Sequence, residues 1–325
     1  MKMKQILQAV FVMLVIPYLL CRVVEYRILK YGKQRMEEKP AAVAEEQIQK
    51  PMQGQSLPIL TENGEVVQME LNDYLLCVLL GEMPVSFQME ALKAQAVVAR
   101  TYTLKHHLLQ QKHDGGALCT DHTCCQAYCS GDDFLAAGHT DEQLERAKQA
   151  VRETENRVLL FDGSLIDATY FSSSGGKTEA AVAVWGTDVP YLQAVDSPGE
   201  EIAKGYVQSV QFTAEEFAQK LGADLPGQPE TWFGPITYTE GDGVDTIQIG
   251  QETYTGTQLR SLLGLRSTAF FISAVGNTVT VTTKGFGHRV GMSQYGAEAM
   301  ARSGSSYSQI LAHYYPGTVL ENWTE

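Results

Sequence analysis

The chain has 325 residues, of which 44% are hydrophobic and 19% are charged. This length allows one large or two medium-sized domains with a sizeable core. The net charge of −13 argues against a nucleic-acid partner, because nucleic-acid phosphates would be repelled. Six cysteines are too few for a disulfide scaffold of this size, and the clustering of four of them in residues 119–129 favours a metal site or a local disulfide.

An apolar segment follows two lysines at the N-terminus. Residues 6–21 contain Gln8 as their only strongly polar residue, which predicts an uncleaved signal anchor over residues 1–24 and a single transmembrane helix. A cleaved signal peptide would need small residues at its cleavage site, and the residues before Arg22 are not small. Basic residues between Arg22 and Arg35 mildly oppose an external C-terminal part. Residues 25–56 are polar and contain prolines, which predicts a linker.

Two strands and two helices are predicted next. Residues 59–60 and 66–71 read as strands around an Asn63-Gly64 turn. Asn72 is predicted to cap a short apolar helix, which must end before Pro84 because proline disfavours helix at the preceding residue. Ser86 is predicted to cap a central core helix that extends to about Gln110 and is rich in alanine.

Glu82 lies in the sequence Gly81-Glu82-Met83-Pro84, at the corner between these two helices. A carboxylate between apolar elements is poorly solvated, and poor solvation favours the protonated form that a general acid needs. Position alone also fits a carboxylate that caps the N-terminus of the second helix.

A histidine- and cysteine-rich segment follows the core helix. His113, Cys119, Cys124 and Cys125 could supply four tetrahedral nitrogen and sulfur ligands, with His122 and Cys129 nearby. The spacing differs from that of a zinc finger, and outside the cytosol a disulfide is the alternative. Cysteine-rich sets usually close the coordination shell, so we expect a structural zinc.

Later segments mix helices and strands. Thr140 begins a capping box, and Asp162-Gly163 predicts a hairpin whose second strand, residues 164–172, continues into Ser172-Ser173-Ser174-Gly175-Gly176. Residues 200–283 are predicted to form an inserted β-rich subdomain that covers a substrate groove. Helices are predicted at 213–221, 293–302 and 306–315, and a strand at 278–283. Without strict strand–helix alternation, the expected fold class is α+β.

Three segments resemble the stage II sporulation protein D family, and together they span most of residues 57–325, the predicted catalytic domain. They are Gly81-Glu82-Met83-Pro84 with Glu90-Ala-Leu-Lys-Ala-Gln-Ala-Val-Val-Ala-Arg-Thr-Tyr102, then Tyr170-Phe-Ser-Ser-Ser-Gly-Gly-Lys-Thr-Glu179, and Gly285-Phe-Gly-His-Arg-Val-Gly-Met-Ser-Gln-Tyr-Gly-Ala297.

The resemblance implies a lytic transglycosylase of peptidoglycan in which Glu82 is the catalytic acid and base. The muramic O6 hydroxyl would attack its own C1 and give a 1,6-anhydro end. Arg100 could pair with Glu82, bind a lactyl carboxylate of the substrate or form a structural ion pair. The other predicted substrate contacts are Tyr102, Ser172, Ser173, Ser174, Gly287, His288, Gln294 and Tyr295. Many relatives carry glycine where this chain has Arg289, and some members carry zinc at the cysteine segment.

The family also implies a setting. The catalytic domain would lie outside the cytoplasm, anchored in the mother-cell membrane facing the forespore. It would act during engulfment, with a sporulation amidase and its membrane complex, on glycan strands already stripped of peptide. An alternative is a non-catalytic amidase enhancer that binds the wall, but the intact Glu-Met-Pro triplet favours the enzyme. A zinc hydrolase is disfavoured because the sequence contains no His-Glu-x-x-His.

Overall fold

The computed structural model describes residues 56–61, 63–110 and 112–323. The predicted signal anchor, and the linker as far as residue 55, lie outside these ranges. None of the helices in the described ranges is long and apolar enough to cross a bilayer. The helices are α1 (Leu71–Glu82), α2 (Met89–Lys105), α3 (Gly131–Ala136), α4 (Asp141–Glu153), α5 (Ala181–Trp185), α6 (Ala214–Leu221), α7 (Gly256–Leu263), α8 (Gln294–Arg302) and α9 (Tyr307–Tyr314).

The strands are short and form several small sheets. They are β1 (Ser56–Leu60), β2 (Val66–Glu70), β3 (Leu118–Cys119), β4 (Arg157–Phe161), β5 (Ser164–Leu165), β6 (Tyr170–Phe171), β7 (Val207–Thr213), β8 (Phe233–Tyr238), β9 (Val244–Ile249), β10 (Glu252–Thr255), β11 (Phe270–Val275), β12 (Thr278–Lys284), β13 (Met292–Ser293) and β14 (Val319–Asn322). The sheet orders are β2-β1-β3, β14-β4-β5, β13-β6, β11-β12-β7 and β10-β9-β8. The fold is therefore a mixed α+β fold, as predicted.

Helix α2 is the centre of the main core, in contact with α1, α4, α8, α9 and β4. Ala94, Ala96 and Ala99 have no exposed surface, and such small side chains let neighbouring elements approach closely. The predicted helix start was wrong. A turn closed by the bond from Phe87 N to Pro84 O delays the helix, which begins after Gln88. After α2, a π-helical turn continues to Gln110.

The capping residues at the Glu82 corner also differ from the prediction. Asn72 lies inside the first turn of α1, where its side chain contacts Arg100 and Glu155 instead of capping the helix. At the start of α2, Glu298 from α8 accepts a hydrogen bond from Gln88 N at 2.6 Å. Glu298, and not Glu82, therefore caps the N-terminus of α2.

Other local turn and capping signals were correct. The hairpin of β1 and β2 pairs Leu60 with Val66. Capping boxes begin α4 at Thr140 and α6 at Thr213. Asp162 and Gly163 both have positive φ, 48° and 75°, as a two-residue hairpin turn requires.

The second strand of the Asp162-Gly163 hairpin is shorter than predicted. Strand β5 ends at Leu165, and β6 pairs with β13 in a parallel arrangement, Tyr170 with Met292 and Phe171 with Ser293. Backbone bridges continue this pairing between Ser173 and Phe286 and between Glu179 and Val290. Two segments that are more than one hundred residues apart in sequence therefore lie side by side.

Residues 207–284 have a hydrophobic core of their own, separate from the core around α2. It is formed by two three-stranded antiparallel sheets with α6 and α7, and Phe217, Leu259 and Val279 have no exposed surface in it. The exact bounds of the inserted subdomain, and its predicted covering of a substrate groove, stay predictions.

Candidate active site

Glu82 is the last residue of α1 and is half-buried at the helix corner. Its Oε1 accepts a hydrogen bond from the backbone N–H of Ala127 at 2.7 Å. The Tyr170 hydroxyl lies close to the same carboxylate and donates to Gln126 Oε1 at 3.2 Å. Burial, and then the Glu82 carboxylate, raise the pKa of Tyr170 well above its ordinary value. Tyr170 therefore stays protonated beside Glu82, with its single hydroxyl hydrogen directed to Gln126.

Gly81 lets the cysteine-rich loop lie directly on α1. A methyl group at Gly81 would lie 2.8 Å from Tyr128 N and 2.9 Å from the carbonyl carbon of Ala127. Any larger residue would push this backbone away, and the Ala127 N–H would move with it. Glycine is therefore required at position 81, because only glycine lets the Ala127 N–H come close enough to bond the carboxylate of the neighbouring Glu82.

Two glutamine side chains hold the corner together. Gln126 is buried, and its Nε2 donates to Thr103 Oγ1 at 2.9 Å, which ties the loop to α2. Gln294 Nε2 donates to the backbone carbonyl oxygen of Glu82 at 3.0 Å. Gln294, predicted as a substrate contact, therefore positions the backbone of the candidate catalytic residue.

The candidate metal ligands meet just before Gln126. The ligand atoms of His113, Cys119, Cys124 and Cys125 all lie within 4.8 Å of one another. His113 Nε2 is 3.4 Å from Cys124 Sγ and 3.6 Å from Cys125 Sγ. Two ligands of tetrahedral zinc are separated by about 3.5 Å when one is nitrogen and the other sulfur. The donor set and its spacing fit a metal ion of this type.

The thiols also have the electrostatics of a metal site. None of the five cysteines in the described ranges is in a disulfide, so the disulfide alternative is not the arrangement found here. Burial raises the pKa of the Cys125 thiol to about 12, and the neighbouring thiols of Cys119 and Cys124 add to this effect. Because the neighbouring thiols oppose ionisation of Cys125, a cation between them would relieve that repulsion.

The comparisons with known proteins agree on one family. A family model described as Stage II sporulation protein matches residues 61–161, which contain Glu82 and the candidate metal ligands. Stage II sporulation protein D of Bacillus amyloliquefaciens is 40% identical over 268 residues, which cover 81% of this chain and 77% of that protein. The chain belongs to this family. Stage II sporulation protein D of Bacillus subtilis (strain 168) is 39% identical over 269 residues, 81% of this chain and 78% of that protein.

A second type of relative is also similar. The protein named amidase enhancer in Bacillus subtilis (strain 168) is 31% identical over 305 residues, which cover 76% of this chain and 40% of that protein.

The serine run at residues 172–174 is largely buried. Ser173 and Ser174 are buried. Glu200 Oε2 accepts hydrogen bonds from Ser174 N and Ser174 Oγ, each at 2.8 Å, and from Gly175 N at 2.9 Å. Ser174 and Gly175 thus bind a carboxylate of their own chain, and the glycan contacts of Ser173 and Ser174 stay predictions. Ser172 is half-buried, and its predicted contact stays a prediction.

Arg289 has φ of 69° and a buried side chain. Its guanidinium pairs with Glu179 at 2.8 Å and donates to the carbonyl oxygens of Ser174, Lys177 and Gly241. A methyl group at Gly243 would collide with Glu179 Oε1. Arg289 therefore links the serine turn to residues 241–243, and the five donors of guanidinium suit such a site.

His288 is held by its neighbours. Its Nδ1 accepts a hydrogen bond from Val290 N at 3.1 Å, and its ring also hydrogen-bonds with the backbone of Tyr170. Burial, and then Arg260, lower the pKa of His288 from its ordinary value of 6.5 to about 4. The predicted substrate contact of His288 stays a prediction, since its ring is half-buried and one nitrogen, Nδ1, has a partner two residues away.

Three further predicted substrate contacts lie in different environments: Gly287, Tyr295 and Tyr102. Gly287 has φ of 122°, and a methyl group there would lie 2.7 Å from Phe171 Cβ. The Tyr295 ring packs edge-on against Phe87, with 5.1 Å between centroids. Tyr102 packs on His106 with 3.9 Å between centroids, and burial followed by the nearby thiols raises its pKa. Tyr102 therefore borders the cysteine cluster, and the substrate contacts of all three stay predictions.

Arg100 makes its hydrogen bonds within the fold, and its substrate contact stays a prediction. It is 1% exposed. Its guanidinium donates to the carbonyl oxygens of Thr154 at 2.6 Å and Val151 at 3.3 Å, at the end of α4. A buried cation beside carbonyl groups at a helix C-terminus is favourably placed, because the helix dipole is negative there.

Sequence reasoning missed several residues of the site. Tyr170 begins the second family segment, and Gln126 directly follows the candidate metal ligands, so both had a signal in their position. Glu200 and Glu298 had no such signal, since each accepts a hydrogen bond from a residue that is distant in sequence.

Proposed function

We propose that this protein is a lytic transglycosylase that cleaves peptidoglycan between N-acetylmuramic acid and N-acetylglucosamine, with Glu82 as its acid and base. The observation that carries the proposal is the Glu82 carboxylate, half-buried at a helix corner between the Ala127 N–H and the Tyr170 hydroxyl. Membership of the sporulation protein family supports a role in sporulation and in the cell wall.

The reaction needs one carboxylate of the protein. Protonated Glu82 would give its proton to the glycosidic oxygen, and the bond from that oxygen to muramic C1 would break. The carboxylate would then take the proton of the muramic O6 hydroxyl while O6 bonds to C1. Glu82 returns to its protonated form, and no water is consumed. Since the attack is intramolecular, its effective molarity is high and a second carboxylate is unnecessary.

The contacts around Glu82 suit this role. Ala127 N–H holds Oε1, which leaves the second oxygen for proton transfer. The Tyr170 hydroxyl can stabilise the carboxylate once its proton has left, because a phenol with a raised pKa donates without ionising.

We infer that the metal at His113, Cys119, Cys124 and Cys125 is zinc with a structural role. Zinc would stabilise the thiolates and supply rigidity to the loop, and four protein ligands leave no open position for a substrate. The loop residues Gln126 and Ala127 follow immediately and contact the Glu82 corner.

The cellular setting is part of the proposal. The apolar residues 6–21 support an anchor in the membrane, with the catalytic part outside the cytoplasm. Peptide-stripped glycan strands would be the substrate, supplied by an amidase partner. The similarity to an amidase enhancer supports a link with such an amidase.

The same similarity supports a second candidate function, a non-catalytic enhancer that binds the wall and stimulates an amidase. Such a protein would bind glycan without cleaving it.

Mass spectrometry of glycan products tests the proposal. The full chain in detergent would be incubated with purified, peptide-stripped glycan, beside a Glu82→Gln variant and an Asp73→Asn control on the same helix. We expect 1,6-anhydromuramic ends, and a rate loss of about 10²–10⁴-fold for Glu82→Gln alone. Reducing ends would indicate a hydrolase. Intact glycan, together with stimulation of an added amidase, would favour the enhancer. Turnover by Glu82→Gln at the normal rate would remove Glu82 from the mechanism.

A further inference from the structure

Trp185 is a large exposed side chain that packs against His288, a residue of the third family segment. It is the last residue of α5, and it is 46% exposed. Val182, one turn earlier, is 50% exposed. Single exposed aromatic residues are common on protein surfaces and carry no meaning alone. The significance of Trp185 depends on the residues beneath it.

The indole of Trp185 rests on a fixed and uncharged ring. Its centroid is 5.4 Å from that of His288, whose ring also packs edge-on against Phe171 at 5.5 Å. The bonds of His288 to Val290 N and to the Tyr170 backbone fix the ring plane. With a pKa of about 4, lowered by burial and then by Arg260, His288 is neutral at ordinary pH. The support of Trp185 is therefore rigid and without charge.

This support leads directly to Glu82. His288 bonds to the backbone of Tyr170, and the hydroxyl of Tyr170 lies beside the Glu82 carboxylate. Two residues, His288 and Tyr170, thus connect the exposed indole to the candidate acid. A polymer with one bond at Glu82 is long enough to pass over Trp185 as well.

We propose that Trp185 is a stacking subsite for a pyranose ring of the glycan, beyond the two rings whose bond is cleaved at Glu82, and that His288 positions it. This subsite rests on the proposed function. A pyranose ring has an apolar face of C–H groups and a rim of hydroxyls. An indole matches it with a flat apolar face and a single N–H at its edge.

Charge gives an independent reason for such a subsite. The net charge of −13 repels the lactyl carboxylates of a glycan strand, so electrostatic attraction cannot supply the affinity. Contact with an uncharged aromatic face binds the sugar without that repulsion. Binding energy from such a remote ring can also lower the barrier at the reacting bond.

Glycan binding by inactive protein tests the subsite without any need for cleavage. The full chain would carry Glu82→Gln and, in addition, Trp185→Ala, Trp185→Phe or Tyr238→Ala. Tyr238 is a matched control, an aromatic residue that is 57% exposed on β8. Each protein would be titrated with peptide-stripped glycans of two and of five disaccharide units.

We expect Trp185→Ala to weaken binding of the long glycan about tenfold, Trp185→Phe by less, and Tyr238→Ala not at all. The loss should be smaller for the short glycan, which cannot reach both Glu82 and Trp185. The long glycan should also change the tryptophan fluorescence of the Glu82→Gln protein, and this change should disappear in Trp185→Phe. Trp232 is buried, and Trp323 is partly buried; both remain in Trp185→Phe, so a change lost in that variant belongs to Trp185.

Equal affinity of the long glycan for Trp185→Ala and its parent would overturn the subsite. The outcomes separate from those of the proposed function. If anhydro products form but glycan binding does not depend on Trp185, the proposed enzymatic function stands and the proposed subsite is wrong. If glycan binding depends on Trp185 but no anhydro products form, the subsite stands and the protein is a wall-binding protein. A fall in thermal stability of Trp185→Ala, with normal binding by Trp185→Phe and no fluorescence change, would assign Trp185 a packing role only.

Discussion

The corner at Glu82 and the turn at residues 172–176 are both polar sites within family segments, but their polar groups have different partners. At the corner, one carboxylate oxygen of Glu82 is held by Ala127 N–H, and the residue is half-buried. In the turn, Ser174 and Gly175 donate to Glu200, and Arg289 closes the other side on Glu179. The corner can receive a ligand, whereas the turn already binds a carboxylate of its own chain.

The difference teaches that a polar family segment identifies a position but not its task. A buried polar group must have a hydrogen-bond partner, because an unpaired one is expensive. When that partner comes from the same chain, the segment is part of the fold. When a carboxylate is only half-buried, as Glu82 is, the segment remains a candidate for chemistry.

The largest effect on stability should come from a substitution in the turn region, where Arg289 pairs with Glu179. Glu179→Ala removes the partner of Arg289, whose guanidinium is buried, and should lower the free energy of unfolding by about 3–5 kcal/mol. Glu82→Gln should lower it by less than about 1 kcal/mol, since its site is half-open. Urea unfolding of both variants measures the contrast. Equal losses would mean that the two regions do not differ as described.

Removing the metal should affect the corner through its loop. A Cys119→Ser, Cys125→Ser variant should bind no zinc and lose stability on the order of 3 kcal/mol, with activity falling in parallel. His122→Ala is the control, because His122 is exposed and lies outside the ligand cluster. Zinc binding should weaken as the pH falls, since protons compete for the thiolates.

Elemental analysis and thermal unfolding measure this prediction. Less than about one zinc per chain in reduced protein would contradict it. Full activity after complete zinc removal would separate the loop from the chemistry.

Gly81→Ala should separate stability from activity at the corner. Alanine favours helix by about 1 kcal/mol over glycine, but here its methyl group would lie 2.8 Å from Tyr128 N. The loop must shift, and the hydrogen bond from Ala127 to Glu82 should be lost. We expect the cleavage rate to fall by about 10–100-fold.

Gly131→Ala is the control for Gly81→Ala, because its methyl group would meet Leu144 at an ordinary 3.8 Å. An unchanged cleavage rate in Gly81→Ala would show that the loop contact does not position Glu82.

The smallest effect should be a change in how stability depends on pH. His288 has a pKa of about 4 in the folded protein, against an ordinary 6.5, because it is buried and lies near Arg260. Between these values the unfolded chain binds more protons, so stability is complete above about pH 6.5 and is lost as the pH falls toward 4.

His288→Gln should flatten this dependence by at most about 1.4 kcal/mol per pH unit over that interval. Urea unfolding at several pH values provides the measurement, and His106, whose pKa is also lowered to about 4, remains in both proteins. Parallel curves for the two proteins would mean that His288 does not resist protonation.

The sequence alone determined the elements whose signals are local. The capping boxes at Thr140 and Thr213 and the turn at Asp162-Gly163 involve contacts within three residues, so the chain specifies them without its fold. The candidate metal ligands came together as predicted, because His113 and Cys125 are only twelve residues apart in one loop. Glu82 was found through its family segment.

Only the tertiary structure decided which polar residues are available to a ligand. Arg100 and Ser174 look like binding residues in the sequence, yet their partners lie on other elements. Glu298 caps α2 from 210 residues away, which freed Glu82 from that role. Partners at such distances are set by the packing of the whole core, and local sequence patterns contain no information about that packing.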